Sequence, residues 1–195
     1  MEIILGSQSP RRRELMAGLD LPFTAVSIDA DESYPVDLKA DEIPYFISRA
    51  KANAYAPNLQ DNQLLITADT IVWLDGQMLG KPHDDQDAIN MLKALRNKTH
   101  QVYTAVTFAE RTSCQPSEVS IQTIVDCTDV TFGDLTDEEI AYYVRKYRPM
   151  DKAGAYGVQE WIGYVACTQM HGSYFNVMGF PVHKVYEMLK KWNIF

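Results

Sequence analysis

The 195-residue sequence has few of the features typical of membrane, secreted or nucleic-acid-binding proteins. No apolar run reaches the ~18 residues that a membrane-spanning helix needs. The three cysteines, Cys114, Cys127 and Cys167, lie far apart without a CxxC or Cys/His pattern, which favours reduced, partly buried thiols over disulfides or a zinc site. The formal net charge of −8 disfavours general nucleic-acid binding, which needs a basic surface. No secretory leader is recognisable, so we expect a cytoplasmic protein.

Several common catalytic motifs are also missing. A Gly-x-Ser-x-Gly elbow and a Cys–His pairing are both absent, which disfavours serine and cysteine hydrolases. The GxxxxGK[ST] spacing of a Walker loop does not occur. The histidines show no paired spacing, so we expect packing or surface roles for His83, His100, His171 and His183.

Short β-rich runs alternate with helical patterns along the whole chain, without an internal repeat, low-complexity tract or long linker. "LLITA" and "IVWL" are two such β-rich runs, and "YVACTQM" and "YFNVMG" are further predicted strands. Thr136 and Glu139 form a capping box that predicts a helix start, and Pro181 begins the closing helix. The alternation predicts an α/β fold with a mixed sheet, because several adjacent strands leave no room for a helical crossover.

A cluster of arginines begins one predicted helix, at the end where the helix dipole disfavours cations. The stretch "LGSQSPRRREL" places Arg11, Arg12 and Arg13 in the first turn. One interpretation is three solvated side chains on a surface helix. The other is an anion site, since amide hydrogens at a helix N-terminus bind phosphate oxygens and arginines add paired contacts to them. The negative net charge requires any such site to be a local basic pocket.

Four charged side chains elsewhere are candidate catalytic groups. Asp69 closes an apolar run in "TADTIVWL", where a carboxylate either caps a turn or faces a cleft at a strand end. Lys81 lies in "GKP", Glu32 in the acidic "DADES" and Lys51 in a predicted helix, and each could equally be a solvated side chain. We hypothesise that Asp69 and the arginine cluster share one crevice shaped for a phosphate tail.

The segment "DKAGAYGVQ", residues 151–159, contains two glycines outside any helix or strand pattern. The glycines flank Ala155 and Tyr156, which predicts a tight turn or a close approach of the backbone. Gln159 follows, and its amide can both donate and accept hydrogen bonds, as contact with a base edge requires. A strand bend packed with aromatic side chains would give the same pattern.

Taken together, the motifs "SQSPRR", "DES", "RAKA", "ADTIV", "LGKP", "TAV", "DKAGAYGVQ" and "GSYFNVMGFP" resemble, in this order, those of the Maf nucleotide pyrophosphatases. The resemblance implies hydrolysis of a nucleoside triphosphate to the monophosphate and pyrophosphate, and "GAYGVQ" resembles the branch that acts on dTTP and UTP. It implies an α/β/α arrangement around a long mixed twisted sheet, with two lobes and a central cleft, as a single Maf-like domain over residues 1–195. Homodimers are common in the family, and neither nucleic acid nor a membrane is an expected partner.

The resemblance also assigns catalytic roles to matching positions. Asp69 resembles the proton acceptor that activates water, and Glu32, Lys51 and Lys81 match positions that are also needed for activity. A divalent cation, magnesium or manganese, is implied as cofactor, and Glu32 and Asp69 are the carboxylates expected to hold it.

Five further positions match substrate-binding positions of the family. Ser7 and Arg11 match phosphate-binding positions in the first motif. Arg12, Thr70 and Gln159 match positions linked to base preference in the dTTP/UTP branch. The resemblance therefore predicts a preference for pyrimidine triphosphates.

The chain departs from the family pattern at two places, both outside the matched catalytic positions. "QEWIG" follows the glutamine motif where relatives often have more glycine, and His171 precedes "GSYF" where a smaller polar residue is frequent.

Alternative functions are a nucleotide-binding regulator of cell division without turnover, since the family has been discussed as septum-formation inhibitors, and a phosphatase that releases single phosphates. The combination of Asp69 and Glu32 with two lysines favours the enzyme. The physiological substrate, among standard and modified pyrimidine triphosphates, and the biological role, pool cleansing or division arrest, stay open.

Overall fold

The computed structural model describes residues 1–112 and 115–194 of the chain. Cys167 is a reduced, half-buried thiol as the sequence predicts, whereas Cys127 is exposed, so the expected partial burial is wrong for Cys127. Cys114, the third cysteine expected to be reduced, lies outside the described residues.

Within the described residues the strands form one mixed sheet, with the spatial order β2-β1-β3-β5-β6-β7 and β4 also paired to β3. Strand β1 pairs in parallel with β2 and β3, whereas β4 pairs antiparallel with β3 and β7 antiparallel with β6. The predicted α/β class with a mixed sheet is therefore confirmed. The strands are β1 (Glu2–Gly6), β2 (Phe23–Val26), β3 (Gln63–Leu74), β4 (Gln77–Leu79), β5 (Thr99–Thr112), β6 (Gln115–Phe132) and β7 (Cys167–His171).

Helices connect or flank these strands, and short 3₁₀ turns cover Ala56–Asn58, Ala153–Ala155 and Lys190–Trp192. Over the part of the chain that the structure describes, no helix combines the length and apolarity that a membrane crossing requires. The helices are α1 (Pro10–Ala17), α2 (Glu42–Tyr55), α3 (Asp85–Leu95), α4 (Asp137–Tyr147), α5 (Trp161–Ala166), α6 (Tyr174–Val177) and α7 (Val182–Leu189).

The structure confirms some local predictions and corrects others. The capping box of Thr136 and Glu139 begins α4, with both reciprocal hydrogen bonds present. The two β-rich runs "LLITA" and "IVWL" form one continuous strand, β3. The prediction of a strand over the whole of "YVACTQM" is wrong, because its first three residues complete α5 and β7 begins only at Cys167.

"YFNVMG" does not form the predicted strand either, because a local cap favours a helix. The hydroxyl of Ser173 accepts a hydrogen bond from the backbone N–H of Asn176, which begins α6. The buried amide of Asn176 donates to the carbonyl oxygen of Val102 at 3.0 Å and to the Thr128 hydroxyl at 2.9 Å, so the helical turn is held in place. These tertiary bonds outweigh the β propensity of the aromatic and β-branched residues.

The residues group into two compact units, which we call unit 1 and unit 2. Strands β3, β5 and β6 contribute residues to both. The single Maf-like domain expected over residues 1–195 stays a prediction. Unit 1 comprises Met1–Asp69, Thr104–Asp126 and Gly179–Phe195, and unit 2 comprises Thr70–Tyr103 and Cys127–Met178.

Unit 1 has an apolar core that packs β1 and β3 against α2. Ile4 and Leu65 pair in register on these two parallel strands, and both are buried. Ala52 of α2 is fully buried in the same cluster, with Leu59 and Ala109. This packing positions α2 over the middle of β3, where Asp69 lies.

Unit 2 buries an aromatic cluster around His100. The His100 ring contacts Phe132 and Tyr156 edge-on, with centroids 5.1 and 5.4 Å apart, and its Nε2 lies 2.7 Å from the Tyr156 hydroxyl. Burial lowers the pKa of His100 from 6.5 to about 4, with the Asp129 carboxylate opposing the change. The imidazole is therefore neutral at pH 7, and the packing role expected for His100 is confirmed.

Candidate active site

The turn from β1 to α1 is held by side-chain hydrogen bonds. The backbone N–H of Ser9 donates to the Ser7 hydroxyl at 3.2 Å, and Ser9 in turn caps α1 by accepting from the N–H of Arg12. Gly6 precedes this turn, and a Cβ there would collide with the Ile28 side chain. The close packing fixes the path of the chain into the helix, with Ser7 buried.

Two of the three arginines at the start of α1 donate hydrogen bonds to backbone carbonyl groups, which explains why they lie there. The Arg12 guanidinium donates to the Gly179 oxygen at 2.8 Å and to the Ala68 oxygen at 2.9 Å. Arg13 donates to the Ser7 oxygen at 3.2 Å. Burial lowers the pKa of Arg12, while the negative charge of Asp69 opposes this change. Arg12 therefore lies beside Asp69 and joins three segments of unit 1, which is not the behaviour of a solvated surface arginine.

An ion-pair cluster of one lysine and two carboxylates lies next to Arg12. The Lys51 ammonium contacts Asp69 Oδ1 at 2.8 Å and Glu32 Oε1 at 3.0 Å. The side chains of Lys51 and Asp69 are only 13% and 14% exposed, so solvent screens their interaction weakly, whereas Glu32 is 54% exposed. Lys51, Asp69 and Glu32 lie in separate sequence motifs, and the fold brings them together.

The register between α2 and β3 explains why Lys51 meets Asp69. Ser48 lies one turn before Lys51 on α2, and Thr67 lies two residues before Asp69 on the same face of β3. The Thr67 hydroxyl donates to the Ser48 carbonyl oxygen at 2.7 Å. The hydrogen bond and the ion pair therefore lie side by side, and together they align the helix with the strand.

Asp69 lies within a strand, not at a strand end as the sequence suggested. The pairing of β1 with β3 ends at Gly6 and Thr67, so Asp69 stands two residues beyond the carboxyl end of β1. Ligand sites of open α/β sheets collect beyond the carboxyl ends of parallel strands. The position of Asp69 agrees with this rule although its own strand continues to Leu74.

The two carboxylates of the cluster suit a hard divalent cation. Among the described residues there is no group of three or more His, Cys, Asp or Glu side chains that could hold a metal. A pair of carboxylates is nevertheless the usual protein contribution to a magnesium site that is completed by substrate phosphates and water. Glu32 and Asp69 also already share one positive charge, the Lys51 ammonium. The donor set therefore fits magnesium or manganese.

Three predicted site residues belong to unit 2. Thr70 follows Asp69 in β3 and is half-buried, while Lys81 is exposed after β4. The N–H of Gly154 donates to the Gly80 oxygen at 3.0 Å, which joins the segment of Lys81 to the 3₁₀ turn before Gln159. Gly154 has φ +66°, so the predicted tight turn in "DKAGAYGVQ" is confirmed.

Gln159 presents an unusual polar atom. Its Oε1 is buried and accepts no hydrogen bond within the described residues. A buried amide oxygen without a donor costs free energy, so such an atom needs a partner supplied by a ligand or water.

The predicted site residues therefore form two groups, whose roles remain predictions. Arg11 is half-buried at the start of α1. The sequence predicted Arg13 only as part of the arginine cluster, not as the residue that donates to the Ser7 carbonyl, and it gave no role to the buried groups around Gln159. The group in unit 1 is Ser7, Arg11, Arg12, Glu32, Lys51 and Asp69, and the group in unit 2 is Thr70, Lys81 and Gln159.

Two solved structures have a similar fold. The Staphylococcus aureus Ham1 protein superimposes with a TM-score of 0.55 at 14% identity, covering 98% of this chain and 99% of that one. A HAM1 protein from Coxiella burnetii gives a TM-score of 0.51 with the same identity and coverage. At such low identity the likeness shows the fold alone.

The sequence comparison is more specific. The chain belongs to the family described as Maf-like protein, which it matches over residues 2–192. It is 52% identical over 191 residues to a Bacteroides thetaiotaomicron protein named dTTP/UTP pyrophosphatase, covering 97% of this chain and 95% of the relative. A Porphyromonas gingivalis W83 protein with the same name is 48% identical over 192 residues, covering 97% and 93%. The resemblance noted in the motifs is therefore confirmed.

Proposed function

We propose that this protein is a nucleoside triphosphate pyrophosphatase that hydrolyses dTTP and UTP to the nucleoside monophosphate and pyrophosphate. The observation that supports this most strongly is the cluster of Lys51 with Asp69 and Glu32 beside Arg12, in a member of the Maf family. Relatives about half identical to the chain carry the name dTTP/UTP pyrophosphatase.

The reaction is a displacement at the α-phosphorus. A water oxygen attacks that phosphorus, the bond to the bridging oxygen breaks, and pyrophosphate leaves with the bonding electrons. Asp69 accepts the proton of the attacking water. Lys51, 2.8 Å from Asp69 Oδ1, orients the carboxylate, and Arg11 and Lys81 stabilise negative charge on the phosphates.

Arg12 has a supporting role in this proposal. Its guanidinium donates to the carbonyl oxygen of Ala68, the residue before Asp69, and to that of Gly179. These bonds fix the backbone that carries the proton acceptor. The base preference that the family motif links to Arg12 is then an indirect effect of this support.

Magnesium or manganese is the proposed cofactor, held by Glu32 and Asp69. When bound, the cation would offset the negative charge of the triphosphate.

Base choice is proposed to depend on Gln159 and Thr70. The buried Oε1 of Gln159 would accept from the N3–H of uracil or thymine, and the amide N–H₂ would donate to a neighbouring base carbonyl. A site that forms such hydrogen bonds rejects analogues that leave its groups unpaired. We expect a clear preference for UTP and dTTP over ATP and GTP.

We further propose a cytoplasmic location, consistent with the reduced thiol of Cys167, and a homodimeric assembly without nucleic acid or membrane as partner. A regulator of cell division that binds nucleotide without turnover is the second candidate. The paired lysine and carboxylates argue against it, because binding alone does not need a buried proton acceptor.

One assay separates the candidates. The purified protein is incubated with UTP and magnesium, and the products are separated by anion-exchange chromatography. UMP with pyrophosphate supports the proposal. UDP with phosphate would indicate a phosphatase, and unchanged UTP that nevertheless binds would indicate a regulator.

A further inference from the structure

Gln159 sits in a tight turn whose two ends are bonded to each other. The backbone N–H of Glu160 donates to the carbonyl oxygen of Gly157 at 2.9 Å, which closes a four-residue turn over residues 157–160. Gln159 is the third residue of this turn. Its orientation therefore depends on whatever holds the turn in place.

A buried tyrosine connects the two ends of the turn a second time. The Tyr143 hydroxyl accepts from the N–H of Gly157 at 3.0 Å and donates to Oε2 of Glu160. Tyr143 belongs to α4 and is fully buried. Burial raises the pKa of Tyr143, with the Glu160 carboxylate adding to the effect, so the hydroxyl keeps its proton and donates at any working pH.

The other oxygen of the Glu160 carboxylate is held by a lysine. Lys152 Nζ lies 3.1 Å from Glu160 Oε1 and 2.7 Å from Asp151 Oδ1. The side chains of Lys152 and Glu160 are 9% and 19% exposed. A largely buried ion pair of this kind adds little net stability, because desolvation offsets its attraction, but it restricts the geometry of the groups that it joins.

The amide of Gln159 is packed against this network. A Cβ added to Gly157 would lie 3.0 Å from Gln159 Nε2, 3.0 Å from Glu160 Cδ and 3.1 Å from Lys152 Cε. The Gln159 side chain thus folds back over Gly157, in the space that the missing Cβ leaves. In this arrangement its Oε1 is buried without a hydrogen-bond donor among the described residues.

We propose that Tyr143, Lys152 and Glu160 are positioning residues for base selection. They hold the 157–160 turn so that the Gln159 amide is preoriented for the N3–H of a uracil or thymine base. This inference rests on the proposed function, since it concerns how the same site selects its substrate. No role for Tyr143 or Lys152 was predicted from the sequence, and "QEWIG", which contains Glu160, was noted only as a departure from the family pattern.

The test compares UTP with N3-methyl-UTP, which lacks the N3–H but keeps the triphosphate. The N3-methyl group should raise KM strongly in the parent enzyme, because it leaves Gln159 Oε1 unpaired. Glu160→Gln keeps the shape of the side chain but removes the charge that binds Lys152. We expect about a tenfold rise in KM for UTP with kcat nearly unchanged, and a markedly smaller penalty for the N3-methyl group.

Two further variants test whether the loss of discrimination is specific to the turn that holds Gln159. Gly157→Ala removes no charge, but its Cβ would press on the Gln159 amide and on the Glu160 and Lys152 side chains together, so it should reproduce the loss of discrimination by displacing the same arrangement. Asp137→Asn is the matched control, because it removes an exposed carboxylate that pairs with Lys93 and Arg96 in the same unit. This control should leave KM for UTP and the N3-methyl penalty unchanged.

The outcomes are distinguishable. An unchanged N3-methyl penalty in Glu160→Gln, or an equal fall of kcat with UTP and ATP at constant KM, overturns the positioning role while leaving the pyrophosphatase intact. A parent enzyme that does not release pyrophosphate from UTP contradicts the proposed function itself. Loss of discrimination in both Glu160→Gln and Gly157→Ala supports the inference.

Discussion

Replacement of Asp69 by asparagine tests the proposed proton acceptor with little change of shape. The amide keeps an oxygen that can accept from Lys51, and Lys51 keeps its contact with Glu32 at 3.0 Å. An ion pair therefore becomes a hydrogen bond from an ammonium to a neutral amide oxygen, which costs about 1 kcal/mol of unfolding free energy. The variant should remain folded at room temperature, because small domains have a stability of roughly 5–15 kcal/mol.

The effect on catalysis should be far larger than the effect on stability. An amide cannot take the proton of the attacking water, and a positioned general base contributes roughly 10²–10⁴-fold to the rate. At 1.36 kcal/mol for each factor of ten, this corresponds to about 3–5 kcal/mol of activation free energy. Binding should persist, since the substitution removes a negative charge from a site for a polyanion.

The assay measures UMP formation at saturating UTP and constant magnesium, with UTP affinity measured separately by calorimetry. Asp41→Asn is the matched control, because Asp41 is an exposed carboxylate at the start of α2 whose side chain makes no capping hydrogen bond. We expect a fall in kcat of at least a hundredfold for Asp69→Asn and parent activity for Asp41→Asn. A kcat for Asp69→Asn within a factor of two of the parent would refute the assignment.

The remaining predictions concern the metal, one arginine, a buried histidine and a glycine. Removal of divalent cations with EDTA should abolish UTP hydrolysis, and added magnesium or manganese should restore it; activity that persists without them would contradict the proposed cofactor. Arg12→Lys cannot keep both carbonyl bonds, so urea unfolding should show a loss of about 1–3 kcal/mol, and unchanged stability would contradict the structural role. The pKa of His100 is about 4 in the folded protein against 6.5 in the unfolded chain, so the unfolded state binds a proton first as pH falls. About 3 kcal/mol of stability should be lost between pH 6.5 and 4, and His100→Gln should lack this part of the pH dependence in urea titrations. Gly163→Ala in α5 should lower the melting temperature strongly, because its Cβ would collide with the carbonyl oxygen of Val158, and an unchanged melting curve would contradict this reasoning.

Local patterns were sufficient to predict the fold class and many of the elements. The capping box at Thr136 and the β-rich runs "LLITA" and "IVWL" of β3 depend on neighbouring residues alone, which caps and residue types report directly. The helix at "YFNVMG" was mispredicted because it depends on the bonds of Asn176 to Val102 and Thr128, 74 and 48 residues away. Such distant contacts leave no periodic signal in the sequence.

The candidate site shows the same division between features that the local sequence predicts and features that depend on distant contacts. The family motifs drew attention to Asp69, Lys51 and Glu32, but no spacing predicts that one ammonium joins the two carboxylates. The unusual position of the arginine cluster did indicate a buried role for Arg12, while the predicted anion site stays a prediction. The explanation for Arg12, however, required carbonyl groups that lie 56 and 167 positions further along the chain. The network of Tyr143 and Glu160 spans 17 positions and involves residues of ordinary type, so nothing in the sequence distinguished it.

The most direct test of the central claim follows the oxygen atom of the attacking water. UTP is hydrolysed to completion in ¹⁸O-labelled water, and the products are analysed by mass spectrometry. Attack of water at the α-phosphorus predicts one ¹⁸O atom in UMP and none in pyrophosphate. Label in pyrophosphate, or in released single phosphate, would contradict the account.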